Sequence, residues 1–269
     1  MYFDTHMHTC FSGDSDADPI DMINAAKKNG LGGLCFTDHL DIDYQEEPHL
    51  FDLDFDKYWS EMPQIKAFNE TNDFKIYIGV EMGLQPYLAP KHHELVHKYP
   101  FDFVIGSVHA VDGKDPYYKE FYDGISAADA YHRYFDQVLE NIRAFDEYDT
   151  LGHLDYVVRY GLKYFNEPLV FSDYKDQIEA ILKHLIMHGK SLEVNTGAFR
   201  YGMTEPNPSY QILKFYYDLG GGDITIGADA HAPDTVGDHF AEVSCKLKDI
   251  GFRYINVYVK RQPQKIEIV

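Results

Sequence analysis

The 269-residue sequence has no apolar run long enough to cross a bilayer, and its first residues lack the basic start and apolar core of a secretory signal. A membrane partner is therefore not expected. Cysteine is scarce: Cys10, Cys35 and Cys245 are odd in number and far apart, which excludes a disulfide framework and a CxxC zinc knuckle and points to a reducing cytoplasm. Positive charge is also short, with 24 Lys and Arg against 44 Asp and Glu. The resulting formal charge of −20 repels polyanions and argues against a nucleic-acid partner. No repeat, low-complexity tract or Ser/Gly/Pro linker divides the chain. A single domain over residues 1–269 is the simplest expectation, and the sequence leaves oligomeric state open.

What is present fits a packed α/β domain. Hydrophobic residues make up 45% of the chain, enough for a large core. Short β-branched or apolar runs predict strands at Tyr2–Thr5, Gly33–Thr37, Lys75–Val80, Phe103–Gly106, Leu192–Asn195, Ile224–Gly227 and Tyr254–Val259, with a short one near Leu151–Gly152. Helical patterns lie between them. Tyr174, Ile178, Ile181, Leu182 and Leu185 form one stripe of a helix over Ser172–His188, with Ser172 as expected N-cap and Gly189 as stop. Asp18-Pro19 opens the first helix, which ends before Gly30, and Ser126 or Asp129 opens another that runs to about Phe145. Strands alternating with helices imply parallel pairing, and about eight units favour a closed, TIM-like (β/α)7–8 barrel over an open sheet.

Histidine is the informative residue, with 14 in the chain. His6 and His8 sit two apart on the first strand, so both rings point to one side and can grip one ion. His39 in Thr37-Asp38-His39, Glu81 after Gly79-Val80, His109 in Gly106-Ser107-Val108-His109 and His153 in Gly152-His153-Leu154-Asp155 each follow an apolar run. Asp229 and His231 repeat the two-residue spacing after Gly227. Taken singly, each is as well explained by a core histidine or a capping carboxylate. Five strand ends that all finish in His, Glu or Asp are not. In a parallel barrel those ends share one mouth, the catalytic face. Together with Asp14 they make nine nitrogen and oxygen ligands without sulfur, which suit two or three divalent ions of zinc, manganese or iron(II) provided a carboxylate bridges. Glu81 is the natural bridge.

The ordered set HMH, TDH, GVE, GSVH, GHLD and ADAH resembles the polymerase-and-histidinol-phosphatase (PHP) superfamily over essentially the whole chain. The resemblance implies a distorted barrel of seven or eight strands with a trinuclear metal site at the C-terminal strand ends. It implies His6, His8, Glu81 and Asp229 at a first metal. Glu81 would be shared with a second metal held by His109 and His153, and Asp14, His39 and His231 would hold a third. Many members carry histidine where Asp14 stands, which leaves Asp16 as an alternative ligand. The flanks around His109 and His153, the segment Glu193-Val194-Asn195-Thr196, Arg159, Arg200 and Asp229-Ala230-His231-Ala232-Pro233 are most similar to the histidinol-phosphatase branch.

That similarity implies a small phosphate monoester as substrate, specifically L-histidinol phosphate, and hydrolysis by a hydroxide held between the first two metals. Arg159 and Arg200 are expected to clamp the phosphoryl oxygens. Asp229, His231 or a metal-bound water would protonate the leaving alkoxide. Some of the 22 tyrosines are expected to line the pocket and stack on an imidazole, with acidic residues near an ammonium group. The rival readings are another PHP phosphoesterase, acting on nucleotides or phosphotyrosine, and an amidohydrolase-type barrel. The latter usually bridges its metals with a modified lysine, and no lysine ends a strand here. His93-Glu94-Leu95-Val96-His97 matches HExxH, but its position between Pro90 and Pro100 predicts a short surface helix with His93 and Glu94 in solvent. His184 and His188 are expected on a packing helix.

Overall fold

A computed structural model describes residues 1–269. Its centre is a parallel sheet in the order β1 (Phe3–Asp4), β2 (Gly33–Phe36), β4 (Lys75–Gly83), β5 (Phe103–Ser107), β6 (Thr150–Leu151), β7 (Ser191–Asn195) and β8 (Ile224–Gly227), with the two-residue β3 (His39–Leu40) also paired to β4. The register runs through Phe3↔Gly33, Leu34↔Ile76, Glu81↔Ile105, Ile105↔Thr150, Leu151↔Leu192 and Val194↔Ile226. The sheet closes between its first and last strands. Thr5 N donates to Ile226 O, Asp229 N to His6 O and His8 N to Ala230 O, at 3.1, 2.8 and 2.8 Å. The expected barrel is present with seven strands around the ring.

Helices α1 (Pro19–Lys28), α2 (Phe55–Asn69), α3 (Ala89–Lys98), α4 (Ala127–Ala144), α5 (Val157–Phe165), α6 (Phe171–Met187), α7 (Tyr210–Asp218) and α8 (Phe240–Ile250) surround it. Local chemistry sets their ends. Asp18 caps α1 through Ile20 N at 2.7 Å, and Ser126, not Asp129, caps α4 through Asp129 N at 3.1 Å. The stripe Tyr174, Ile178, Ile181, Leu182 and Leu185 is buried as its spacing predicts, each aliphatic side chain contributing roughly 1.5–3 kcal/mol. Ser172, however, is not the cap of α6. The helix begins one residue earlier at Phe171, after Val170, and Phe171 packs edge-on against Phe215 of α7. Packing of that ring outweighs the hydroxyl's preference for the cap.

The second departure is Tyr254–Val259, which was expected to be a barrel strand. It forms β9, which pairs antiparallel with β10 (Gln262–Glu267), a segment given no structure from sequence. Val259 faces Gln262 across a two-residue turn in which Lys260 (φ 50°) and Arg261 (φ 65°) are both left-handed, the geometry that matches strand twist in tight hairpins. The hairpin reaches the strand starts: Tyr258 packs on Phe103, its hydroxyl donates to Asp149 O at 3.1 Å, and Asn256 donates to Ser191 Oγ at 3.0 Å. It seals the bottom of the barrel, opposite the strand ends that carry the histidines.

Candidate metal centre

The C-terminal strand ends converge as their motifs predict. Rings from β1's extension, β3, the β5 and β6 ends and the β8 end meet around Glu81, which is fully buried. Its two oxygens face different groups. Oε2 lies 3.2 Å from His6 Nε2 and 3.4 Å from His8 Nε2, with Asp229 Oδ1 3.3 Å from the latter. Oε1 lies 2.9 Å from His153 Nε2 and 3.3 Å from His109 Nε2. A third group forms beside them: Asp14 Oδ2 is 3.1 Å from His231 Nε2 and 3.7 Å from His39 Nε2. All nine residues singled out in the sequence gather here, though not in three separate sets: His39 Nδ1 is 3.1 Å from Glu81 Oε2 and 3.5 Å from Asp41 Oδ2, and His8 also clusters with His39 and His231. Asp16 is exposed and makes no ion pair with these rings, so Asp14 is the carboxylate that faces them.

The ring tautomers test whether cations fit. His6 Nδ1 is 2.5 Å from Glu193 Oε1, and His8 Nδ1 is 3.2 Å from Ser12 Oγ. With Nδ1 turned to those partners, the two Nε2 atoms face each other 3.0 Å apart, and each can give a lone pair to an ion once it is free of a proton. His109 repeats the arrangement, with Nδ1 on Asp41 Oδ1 at 2.8 Å and Nε2 3.3 Å from His153 Nε2. Glu81 Oε2 is buried without any hydrogen-bond donor. Imidazole nitrogens turned toward one another and a buried carboxylate oxygen with no hydrogen-bond partner are a set that divalent cations would satisfy. The donor set fits the expected ions.

Burial disfavours charge on every group here, and neighbours decide which groups keep it. Glu81 is held well below the usual carboxylate range by His6, His109 and His39 despite burial, and Asp229 likewise by His6, His8 and Arg159. Burial opposes charge on His109 as well, but Asp41 and Glu81 push its pKa up to about 10. Glu193, Glu81 and Asp229 raise His6 in the same way. His8 goes the other way, lowered by burial and by His39 and His231. These neighbours hold Asp229 in its ionised form.

Asp229 adopts a left-handed backbone (φ 53°), which costs on the order of 1 kcal/mol for a residue with a Cβ. Arg200 offsets that cost by donating from Nη1 to Ala228 O at 2.7 Å and from Nη2 to Asp229 O, while His231 Nδ1 meets Asp229 O at 2.9 Å. Buried Arg159 reaches Asp229 Oδ2 at 3.2 Å, Asn195 Oδ1 at 2.8 Å and Asn207 Oδ1 at 2.7 Å, and lies over the rings of Tyr156 and Tyr201. Both arginines line the mouth, and both also hold the Asp229 turn, a role not visible in sequence.

The groups open into a cavity of about 410 Å³ that Tyr44, Glu47, Asp115, Tyr117 and Tyr118 also line. Tyr44 and Tyr156 donate to Asp115 at 2.7 and 3.2 Å, and Tyr118 donates to Glu47 at 2.7 Å. Burial pushes Asp115 up to about 6. Sequence reasoning missed Asp41, Glu193, Asp4 and Ser107 as supports. Asp4 accepts from the amides of Ala228 and Gly237, each at 2.9 Å, and Ser107 donates to Glu81 Oε1 at 2.6 Å. The signal was present: Asp41 stands two residues after His39, and Glu193 two before Asn195, so alternation turns each pair to one side. Elsewhere, Glu94 of HELVH pairs with Lys91 in solvent, as expected. His92 is fully buried with both ring nitrogens unpartnered, and burial lowers its pKa to about 4.

Fold and site together define a parallel barrel whose C-terminal mouth gathers several groups of side chains able to hold metal ions. Residues 4–197 match the PHP domain model, and the chain belongs to the PHP family. Within it the chain is similar to a probable histidinol-phosphatase of Clostridium acetobutylicum (33% identical, covering 94% of this chain and 97% of the relative) and to the histidinol-phosphatase of Lactococcus lactis (35%, 85% and 83%). Among solved structures, a histidinol phosphate phosphatase from Lactococcus lactis, complexed with zinc, L-histidinol and phosphate, superposes with a TM-score of 0.90 at 30% identity, covering 98% of this chain and 99% of that one. A putative histidinol phosphatase from Listeria monocytogenes shares the fold, with a TM-score of 0.78 at 19% identity. No helix is long and apolar enough to cross a membrane.

Proposed function

We propose that residues 1–269 act as one barrel domain, a cytoplasmic phosphomonoesterase that hydrolyses L-histidinol phosphate to L-histidinol and phosphate. The observation that carries the reading is Glu81, whose two oxygens are divided between two imidazole pairs at the base of a cavity lined by Arg159 and Arg200. His6, His8, Glu81 and Asp229 would hold one ion, Glu81, His109 and His153 a second, and Asp14, His39 and His231 a third, of zinc, manganese or iron(II). Bound there, divalent ions neutralise phosphoryl oxygens and acidify a coordinated water. The zinc, L-histidinol and phosphate of the Lactococcus structure support the assignment.

The chain's own residues offer the substrate two kinds of partner. Arg159 and Arg200, already oriented by their bonds around Asp229, bind the phosphoryl end with their remaining N–H groups. Tyr44, Tyr117, Tyr118, Glu47 and Asp115 of the same lining take the organic end, their carboxylates matching an ammonium and their rings an imidazole. This pairing reconciles an acidic chain with a phosphate substrate. The lining contains no lysine, so the carbamylated bridge of an amidohydrolase has no candidate.

Phosphate release from L-histidinol phosphate, p-nitrophenyl phosphate, a nucleoside monophosphate and phosphotyrosine tests the reading on metal-loaded protein. The highest kcat/KM is expected for L-histidinol phosphate, lost with a chelator and restored by one of the three metals. Preference for a nucleotide or phosphotyrosine would name another PHP phosphoesterase, and no release from any would end the phosphatase reading. In the same assay, unchanged KM and kcat in both Arg159→Ala and Arg200→Ala would remove the clamp.

A further inference from the structure

The HELVH motif is left unused by the chemistry at the mouth. His93 and His97 lie one turn apart on α3, with ring centroids 4.3 Å apart and side chains 63% and 60% exposed. Glu147, from the loop between α4 and β6, reaches across to both: its Oε2 is 2.5 Å from His93 Nδ1 and its Oε1 is 3.5 Å from His97 Nε2. The three ligand atoms lie within 4.8 Å of one another. Tetrahedral ligands of zinc stand about 3.3 Å apart, between these two separations.

Two features prepare the cluster. His97 Nδ1 meets the carbonyl of His93 at 2.9 Å, which fixes the ring and turns the Nε2 lone pair toward Glu147. Arg261 donates to Glu147 O and to Asp149 Oδ2, so the hairpin turn anchors the loop that carries the carboxylate. Glu94, which HExxH would use as general base, is bonded to Lys91 at 3.0 Å. His97 shortly precedes β5 and Glu147 shortly precedes β6, so the cluster sits at the strand starts, the far end of the barrel from the cavity.

We propose that His93, His97 and Glu147 form a separate surface site for a divalent transition-metal ion, zinc by ligand type, that ties α3 to the α4–β6 loop. Two imidazoles and one carboxylate supply three ligands, and water completes the tetrahedron. At the strand-start face of such a barrel the ion stabilises and does not catalyse.

The test titrates zinc, against a chromogenic indicator, into protein already loaded at the barrel mouth. Wild type is expected to take one equivalent more than His93→Ala/His97→Ala, with Glu147→Gln binding that equivalent roughly tenfold more weakly. Zinc at hundredfold excess over its Kd should raise the Tm of the loaded wild type by about 5 °C and leave the double variant unmoved. Phosphate release should be the same in all three. Both histidines are exposed, so the variants retain the core. No additional equivalent in wild type, or an equal number with equal affinity in the double variant, would overturn the proposal.

Discussion

At the scale of single residues, the site depends on carboxylates that grip its imidazoles by the nitrogen turned away from Glu81. Asp41 fixes His109 through Nδ1 at 2.8 Å, and Glu193 does the same for His6 at 2.5 Å. Such partners set the tautomer and the basicity of a ligand, and losing one costs roughly 10–100-fold in metal affinity. Asp41→Asn keeps the shape and removes the charge. Its zinc affinity, measured by competition with a chelator, is expected to fall within that range, and an affinity within twofold of wild type would show that Asp41 only fills space. The ligand-type residues were legible in the sequence because histidine at a strand end is unusual enough to notice. Asp41 and Glu193 were legible only through their two-residue spacing from His39 and Asn195, because a buried acid paired with an imidazole otherwise looks the same in sequence as any solvated one.

At the scale of elements, strand ends act as jigs, and close packing leaves them no slack. A Cβ on Gly227, at the end of β8, would stand 2.3 Å from His6 Cβ and 2.9 Å from Glu193 Oε1. His6 Cβ is tied to the main chain of β1's extension and cannot swing aside. Gly227→Ala should therefore cost about 1–3 kcal/mol in stability and also weaken metal binding by displacing the His6–Glu193 pair. Gly222→Ala, just before the same strand, meets nothing within 4 Å and is the control, expected within about 0.5 kcal/mol of wild type. Urea midpoints with and without excess zinc check both, and equal midpoints for the two variants would contradict the packing account. Periodicity made the barrel strands and the stripe of α6 readable. It failed at β9, because a strand's pattern records what it buries and not which neighbour it pairs with, and β9 buries Ile255, Val257 and Tyr258 under the barrel as a barrel strand would inside it.

At the scale of the whole molecule, ions and protons compete for the same groups. The carboxylates around His6, His39 and His109 raise all three rings above their ordinary pKa, His109 to about 10, despite burial. An ion arriving at those nitrogens displaces the protons they hold. Zinc binding to chelator-stripped protein should therefore release protons and weaken as pH falls. Titration calorimetry at neutral pH in two buffers of different ionisation heat reads the release directly, and identical heats would refute it. The sign for the stripped protein follows from the same shift: a His109 pKa raised above the unfolded 6.5 adds stability that is complete below pH 6.5 and is lost as pH rises through about 10.

The barrel's seam has a consequence for how the protein is made. His6 and His8 lie beside the first strand, whereas Asp229 and His231 follow the last, and hydrogen bonds join the two only there. During synthesis the group of Glu81, His109 and His153 is complete once residue 153 has emerged. The other two groups wait several seconds more for Asp229 and His231, at the usual pace of about 5–20 residues per second. The order of the motifs along the chain is thus an order of appearance, in which the middle group has all its members before the strand that closes the barrel has been made.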